Sequence, residues 1–139
     1  MRILLLFALT CIPLTAGAVE LQPGQWRVVT TPLSGPAMPP GVTMRCLKPE
    51  EVKDPGKTFA PQVSTVNSEC ERTRFDLDET SLTWRLQCKG QLDMDVAGQF
   101  VFESPTKYSA IIATKAAMLE RIVQESVVTI TAERVGDCF

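Results

Sequence analysis

Four cysteines, Cys46, Cys70, Cys88 and Cys138, stand in a chain of 139 residues that has no histidine; a fifth, Cys11, lies in an apolar leader. Without imidazole there is no ordinary Ser-His-Asp or Cys-His relay, and no imidazole to ligate a metal. Thiolate zinc sites use CxxC-like spacing, and the closest pair here, Cys70 and Cys88, lies far outside it. An even set of four cysteines therefore points to disulfides. What remains for catalysis is a pair of carboxylates or a Ser-Lys dyad. Asp93 and Asp95 lie two positions apart, on one face of a strand, with Glu103 further along. Such a pair could serve acid and base roles or bind calcium, but polar residues are equally expected opposite Leu92, Met94 and Val96 on a solvated strand face. Met38, Met44, Met94 and Met118 offer soft thioethers for Cu(I); Met94 shares an apolar face with Phe100 and Phe102 and reads as core filler. The expectation is a protein that is not an enzyme and carries no cofactor.

The compartment follows from the leader. Arg2 supplies a positive start, residues 3–14 form a short apolar run broken by Thr10, and Ala16-Gly17-Ala18 places small residues at a cleavage site. Residues 1–18 thus read as a signal peptide, with Val19 as the mature N-terminus. The run is shorter than the roughly 20 residues a bilayer requires, so no transmembrane segment is expected. Cys11 follows Thr10 rather than a small residue and would leave a very short signal, which disfavours a lipoprotein. Residues 19–139 are enough for one domain. The formal net charge is −2, and loss of Arg2 with the leader makes the mature chain more acidic. Lys and Arg are scattered, so no nucleic-acid footprint is present.

The elements that position these residues read as strands. Trp26, Val28 and Thr30 share one face of a β-branched run over residues 26–31. Residues 32–41 hold four prolines and two glycines and form a loop, and residues 42–47 return as a strand. Pro49-Glu50-Glu51-Val52 suits a helical turn, and residues 54–68 are irregular. Residues 92–103 carry the strongest strand pattern, apolar at even positions apart from Gly98. Pro105-Thr106 turns the chain into residues 108–113, and residues 127–135 close the sheet. Residues 114–125 are expected to form a short helix or turn, because Ala116, Ala117, Met118, Leu119 and Glu120 favour helix. The fold class is all-β: an antiparallel meander forming a curved sheet or small barrel, with one or two short helices.

Residues 70–75 and 82–88 flank a polar connection and read as a hairpin in which Cys70 and Cys88 stand opposite each other, the geometry of a cross-strand disulfide. Pairing Phe75 with Trp84 and Leu77 with Leu82 needs a register shifted by one, which a single bulge supplies. If residues 48–69 cross the sheet, Cys70 joins Cys88 and Cys46 joins Cys138. If they stay at one end, three cysteines gather there and Cys138 is stranded, so full oxidation favours the pairing of Cys70 with Cys88 and Cys46 with Cys138.

Pro23-Gly24-Gln25-Trp26, Met38-Pro39-Pro40, Arg45-Cys46-Leu47-Lys48-Pro49-Glu50, the hairpin from Cys70 through Thr83-Trp84 to Cys88-Lys89-Gly90, and Arg134-Val135-Gly136-Asp137-Cys138 recur here in order. In these the chain resembles the domain of unknown function 3617 family over nearly the whole mature length. The resemblance implies a small exported bacterial protein and supplies no activity, cofactor or catalytic residue. Two departures stand out: one methionine in the proline loop where relatives often have several, and a helix-like run over residues 115–125.

The functional expectation is a periplasmic or secreted, non-catalytic module that binds an unknown envelope protein or a small apolar ligand. A curved sheet lined by Trp26, Trp84, Phe100 and Phe102 could hold such a ligand; if those side chains fill the interior, a structural or interaction module using the Pro-rich loop is favoured. A copper or calcium site, or a hydrolase, is the less favoured alternative.

Overall fold

The computed structural model describes residues 19–36, 38–61 and 68–139; the leader and its cleavage site lie outside the described residues. Seven strands form one antiparallel sheet: β1 (Gly24–Ser34), β2 (Gly41–Leu47), β3 (Ser68–Leu77), β4 (Ser81–Gly90), β5 (Asp93–Ser104), β6 (Lys107–Met118) and β7 (Arg121–Gly136). Their order is β2-β1-β7-β6-β5-β4-β3. The meander thus runs from β3 to β7, and the β1β2 hairpin is added at β7, so the beginning and end of the domain are paired. β2 and β3 are the two edges, and the curved sheet is not closed into a barrel.

Because residues two apart share a face, the even positions of the central strands define the core. Trp26, Leu82, Trp84, Leu86, Cys88, Phe100, Phe102, Tyr108, Ala110 and Ala132 are all buried on that inner face. The connection from β2 to β3 leads from one edge of the sheet to the other. It carries two short helices, α1 (Pro49–Lys53) and α2 (Pro55–Phe59). Each begins with proline, whose missing N–H costs nothing at that position. The Asp54 carboxylate starts α2 by accepting from Lys57 N–H at 3.0 Å. At its end Phe59 inserts over the inner face, its ring centroid 5.2 Å from that of Phe100, 5.8 Å from Phe102 and 5.0 Å from Tyr108. Of the four aromatics expected to line a cavity, Phe100 and Phe102 are thus packed against Phe59 and Trp26 against Tyr108, and all four are buried in the core.

The hairpin register contains the expected bulge. Cys70 faces Cys88 and Arg72 faces Leu86, but Phe75 faces Trp84 and Leu77 faces Leu82, with the shift between Arg72 and Arg74. Gly98, the exception in the apolar pattern of β5, faces Trp84. A Cβ there would lie 2.4 Å from the indole, so glycine is what lets the ring lie across the strand.

Residues 114–125 are not helical. They complete β6 and open β7 around a turn at Leu119 and Glu120. Ala116 pairs with Met94 on one side and Gln124 on the other, and two ladders of hydrogen bonds outweigh an intrinsic helix preference of a few tenths of a kcal/mol per residue (about 0 to 0.7). Likewise β1 runs to Ser34, past the expected start of the proline loop, because Pro32 and Ser34 pair with Val128 and Val127 across a second bulge. No helix among the described residues is long and apolar enough to cross a membrane.

Candidate functional site

The cysteines form two pairs at disulfide distance. Cys46, near the end of β2, meets Cys138 beyond β7, and Cys70 meets Cys88 across β3 and β4.

Asp93 and Asp95 share the outer face of β5, but each is engaged separately. Asp93 accepts from Gly90 N–H at 3.1 Å and from Lys89 Nζ at 3.4 Å, closing the β4β5 turn. Asp95 accepts from Arg85 Nε at 2.8 Å, from a second guanidinium nitrogen of Arg85, and from Gln87 Nε2 at 3.4 Å. Glu103 lies at the other end of the strand, within 3.7 Å of Lys107 Nζ. Among the described residues no three Cys, Asp or Glu side chains gather as a metal site. The methionines are likewise dispersed: Met44 is on the outer face of β2, Met94 packs against the core, and Met38 and Met118 are exposed in two different hairpins.

The Arg85 hydrogen bonds hold the Asp95 carboxyl below the usual carboxylate range, against a smaller opposing effect of burial. A lowered carboxyl stabilises the fold when ionised, above its unfolded value of about 3.9, and that contribution disappears as pH falls through the folded value. Asp95→Asn is therefore expected to cost about 0.5 kcal/mol at neutral pH, the size of an exposed pair. Urea midpoints should differ between variant and wild type at neutral pH and converge at low pH; a pH-independent difference would point to packing instead.

Two hollows exist. The first is a groove of about 480 Å³, lined by small Ala97, Gly98 and Ala113 and by the long side chains of Arg74, Arg85, Lys115 and Glu125. Its charges are already matched: Arg74 with Asp76 at 2.6 Å, Arg85 with Asp95, and Lys115 with Glu125 at 3.1 Å. The Trp84 indole also borders it, and its N–H is buried without a partner among the described residues.

The second is a cleft of about 440 Å³ at the end of the sheet, lined by apolar Val19, Leu21, Pro23, Val52, Leu77 and Phe102 and by charged Glu20, Lys53, Asp78 and Glu79. Three elements build it. Residues 19–23 form a strap laid over the strand ends: Val19 N–H donates to Glu79 O at 2.9 Å, Gln22 N–H to Pro105 O at 2.8 Å, and Arg134 Nε to Pro23 O at 2.8 Å. Trp26 Nε1 donates to Gln22 O at 3.1 Å, tying the strap to the core. The helices supply Pro49, Val52, Lys53 and Pro55, and the β3β4 turn supplies Leu77 to Glu79. Asp78 is committed to that turn: the Thr80 and Ser81 N–H groups and the Ser81 hydroxyl hold its carboxyl below the usual range. Leu77 remains 44% exposed toward solvent.

The cleft lies beside, not among, the aromatics that sequence reasoning put forward. Of those only Phe102 reaches it. Its other walls carry a faint signal, the alternation of Val19 and Leu21, and no periodic segment reveals that they meet Leu77.

No curated protein and no solved structure matches the chain. The family model described as protein of unknown function (DUF3617) matches residues 21–138, which takes in residues 21–23 of the strap, both helices, all seven strands of the sheet and all four paired cysteines; the chain belongs to that family.

Proposed function

We propose that this is an exported, non-catalytic binding module, resident in the periplasm or secreted, whose end cleft receives an apolar group. The observation that carries the reading is the cleft itself. Its volume falls in the range of small-molecule sites, and most of its lining residues are apolar, with Glu20, Lys53, Asp78 and Glu79 among them. With Phe59 packed on Phe100, Phe102 and Tyr108, the inner face does not support the ligand position expected there, which speaks for the interaction-module alternative, and the binding reading rests on the end cleft instead. Export is supported by the signal-like leader and by two cysteine pairs suited to an oxidising compartment. The non-catalytic reading is supported by the outer groove, whose Arg74, Arg85 and Lys115 are each matched to a carboxylate.

A neutral apolar fluorophore, N-phenyl-1-naphthylamine, tests the cleft. The oxidised protein is expected to bind it saturably at one site. Leu77→Glu should weaken that binding tenfold or more, since burying one leucine is worth about 1.5–3 kcal/mol. Leu77 is half exposed, so the variant should keep the wild-type circular dichroism. Absence of saturable binding, or equal affinity in the variant, would remove the cleft from consideration.

A further inference from the structure

The β6β7 hairpin ends in a turn whose two central residues, Leu119 and Glu120, both have positive φ, 51° and 63°. That geometry belongs to Asn-Gly-type turns and is uncommon for leucine. Leu119 is 90% exposed, and Met118, Ile122 and Val123 beside it are about half exposed. The last pair between β5 and β6 is Asp93 with Ala117, so the tip stands beyond the neighbouring strand. A strained turn that presents four apolar side chains to water does nothing for the core.

What covers the tip can be read from its charges and from the other end of the sheet. Glu120 at the apex argues against insertion into lipid, where a carboxylate is costly. The cleft is lined by Lys53, which suits Glu120, and by Glu20, Asp78 and Glu79, which suit Arg121. The tip cannot reach the cleft of its own chain. β6 starts beside Pro105, where the strap is anchored, and runs 12 residues to the tip, a span of about 40 Å.

We propose that the β6β7 tip docks into the end cleft of a second copy, head to tail. This rests on the cleft being a binding site. Such an interface is heterologous, so copies add head to tail, into open-ended chains or into a ring where the rotation closes. A hairpin tip in a cleft is a small interface, at the transient end of the range, and assembly is correspondingly concentration-dependent.

Sedimentation of the oxidised protein from micromolar to millimolar concentration should show a rising average mass. Leu119→Asn combined with Glu120→Gly removes the knob and supplies the residues the turn prefers, so it should fold and remain monomeric. Leu77→Glu should also remain monomeric. An equimolar mixture of the two variants retains one intact tip and one intact cleft, and should form dimers and nothing larger. Wild type that stays monomeric throughout, a tip variant that still assembles, or a mixture that fails to pair would overturn the proposal. So would binding of monomeric wild type, but not the tip variant, to phosphatidylcholine vesicles, which would assign the tip to lipid. The tip variant should bind N-phenyl-1-naphthylamine as wild type does. Retained dye binding without assembly sinks self-docking alone, whereas loss of dye binding in wild type sinks the cleft reading beneath it.

Discussion

Replacing Cys46 and Cys138 together by alanine is expected to cost about 4.5 kcal/mol of stability, against about 3 kcal/mol for replacing Cys70 and Cys88. The two bridges span 92 and 18 residues, and in the chain-entropy treatment the larger loop removes more freedom from the unfolded chain. The native structure adds to the contrast. Cys70 and Cys88 already face each other within a ladder that runs from Ser68 to Leu77. Cys46 belongs to an edge strand held to β1, and Cys138 to a tail beyond β7, so their bond joins segments that β1 otherwise separates. Against a typical total of about 5–15 kcal/mol, the first loss is a large fraction of what holds the domain together. Urea unfolding of the two double variants measures both, after non-reducing peptide mapping of the wild-type protein. Equal costs would show that strain or residual denatured structure overrides loop entropy. A Cys46 to Cys70 or Cys46 to Cys88 peptide would mean a different connectivity altogether.

Much of this architecture can be read from residue patterns because the constraints are local or arithmetical. Cys70 with Cys88 and Phe75 with Trp84 need registers that differ by one, and the bulge near Thr73 reconciles them. Gly98 interrupts an otherwise apolar face because Trp84 from the neighbouring strand occupies the space of its side chain. The helix expected over residues 114–125 fails for the opposite reason. Alanine, methionine and leucine favour helix in isolation, but here the backbone of β6 is claimed on both sides by the β5 and β7 ladders, a pairing that the local residue types do not announce. The cleft is the least legible feature. Its walls come from residues 19–23, α1, α2 and the β3β4 turn, and what joins them is backbone bonding such as Val19 to Glu79 and Gln22 to Pro105. Backbone bonds carry no side-chain signature, so no spacing of residue types announces them.

The strap that closes this cleft makes Trp26 the most informative single side chain. It is fully buried, its ring centroid lies 5.4 Å from that of Tyr108, and its N–H holds Gln22 O. Trp26→Ala removes a core aromatic where β2, β1 and β7 meet, and is expected to cost about 3–5 kcal/mol. Trp26→Phe retains most of the packing and deletes the hydrogen bond to the strap, so it should cost less, about 1–2 kcal/mol. The two losses should differ in kind. Alanine lowers global stability and raises exchange throughout the sheet, whereas phenylalanine mainly frees the strap, so the Gln22 amide that donates to Pro105 should exchange faster while the β4 amides keep their protection. Because Leu21 and Pro23 are cleft walls, the phenylalanine variant should also bind N-phenyl-1-naphthylamine more weakly than wild type. Unchanged dye affinity alongside faster Gln22 exchange would mean that the cleft does not depend on the strap. Uniform loss of protection in both variants would mean that strap and core open as one unit, with Trp26 as their common fastening.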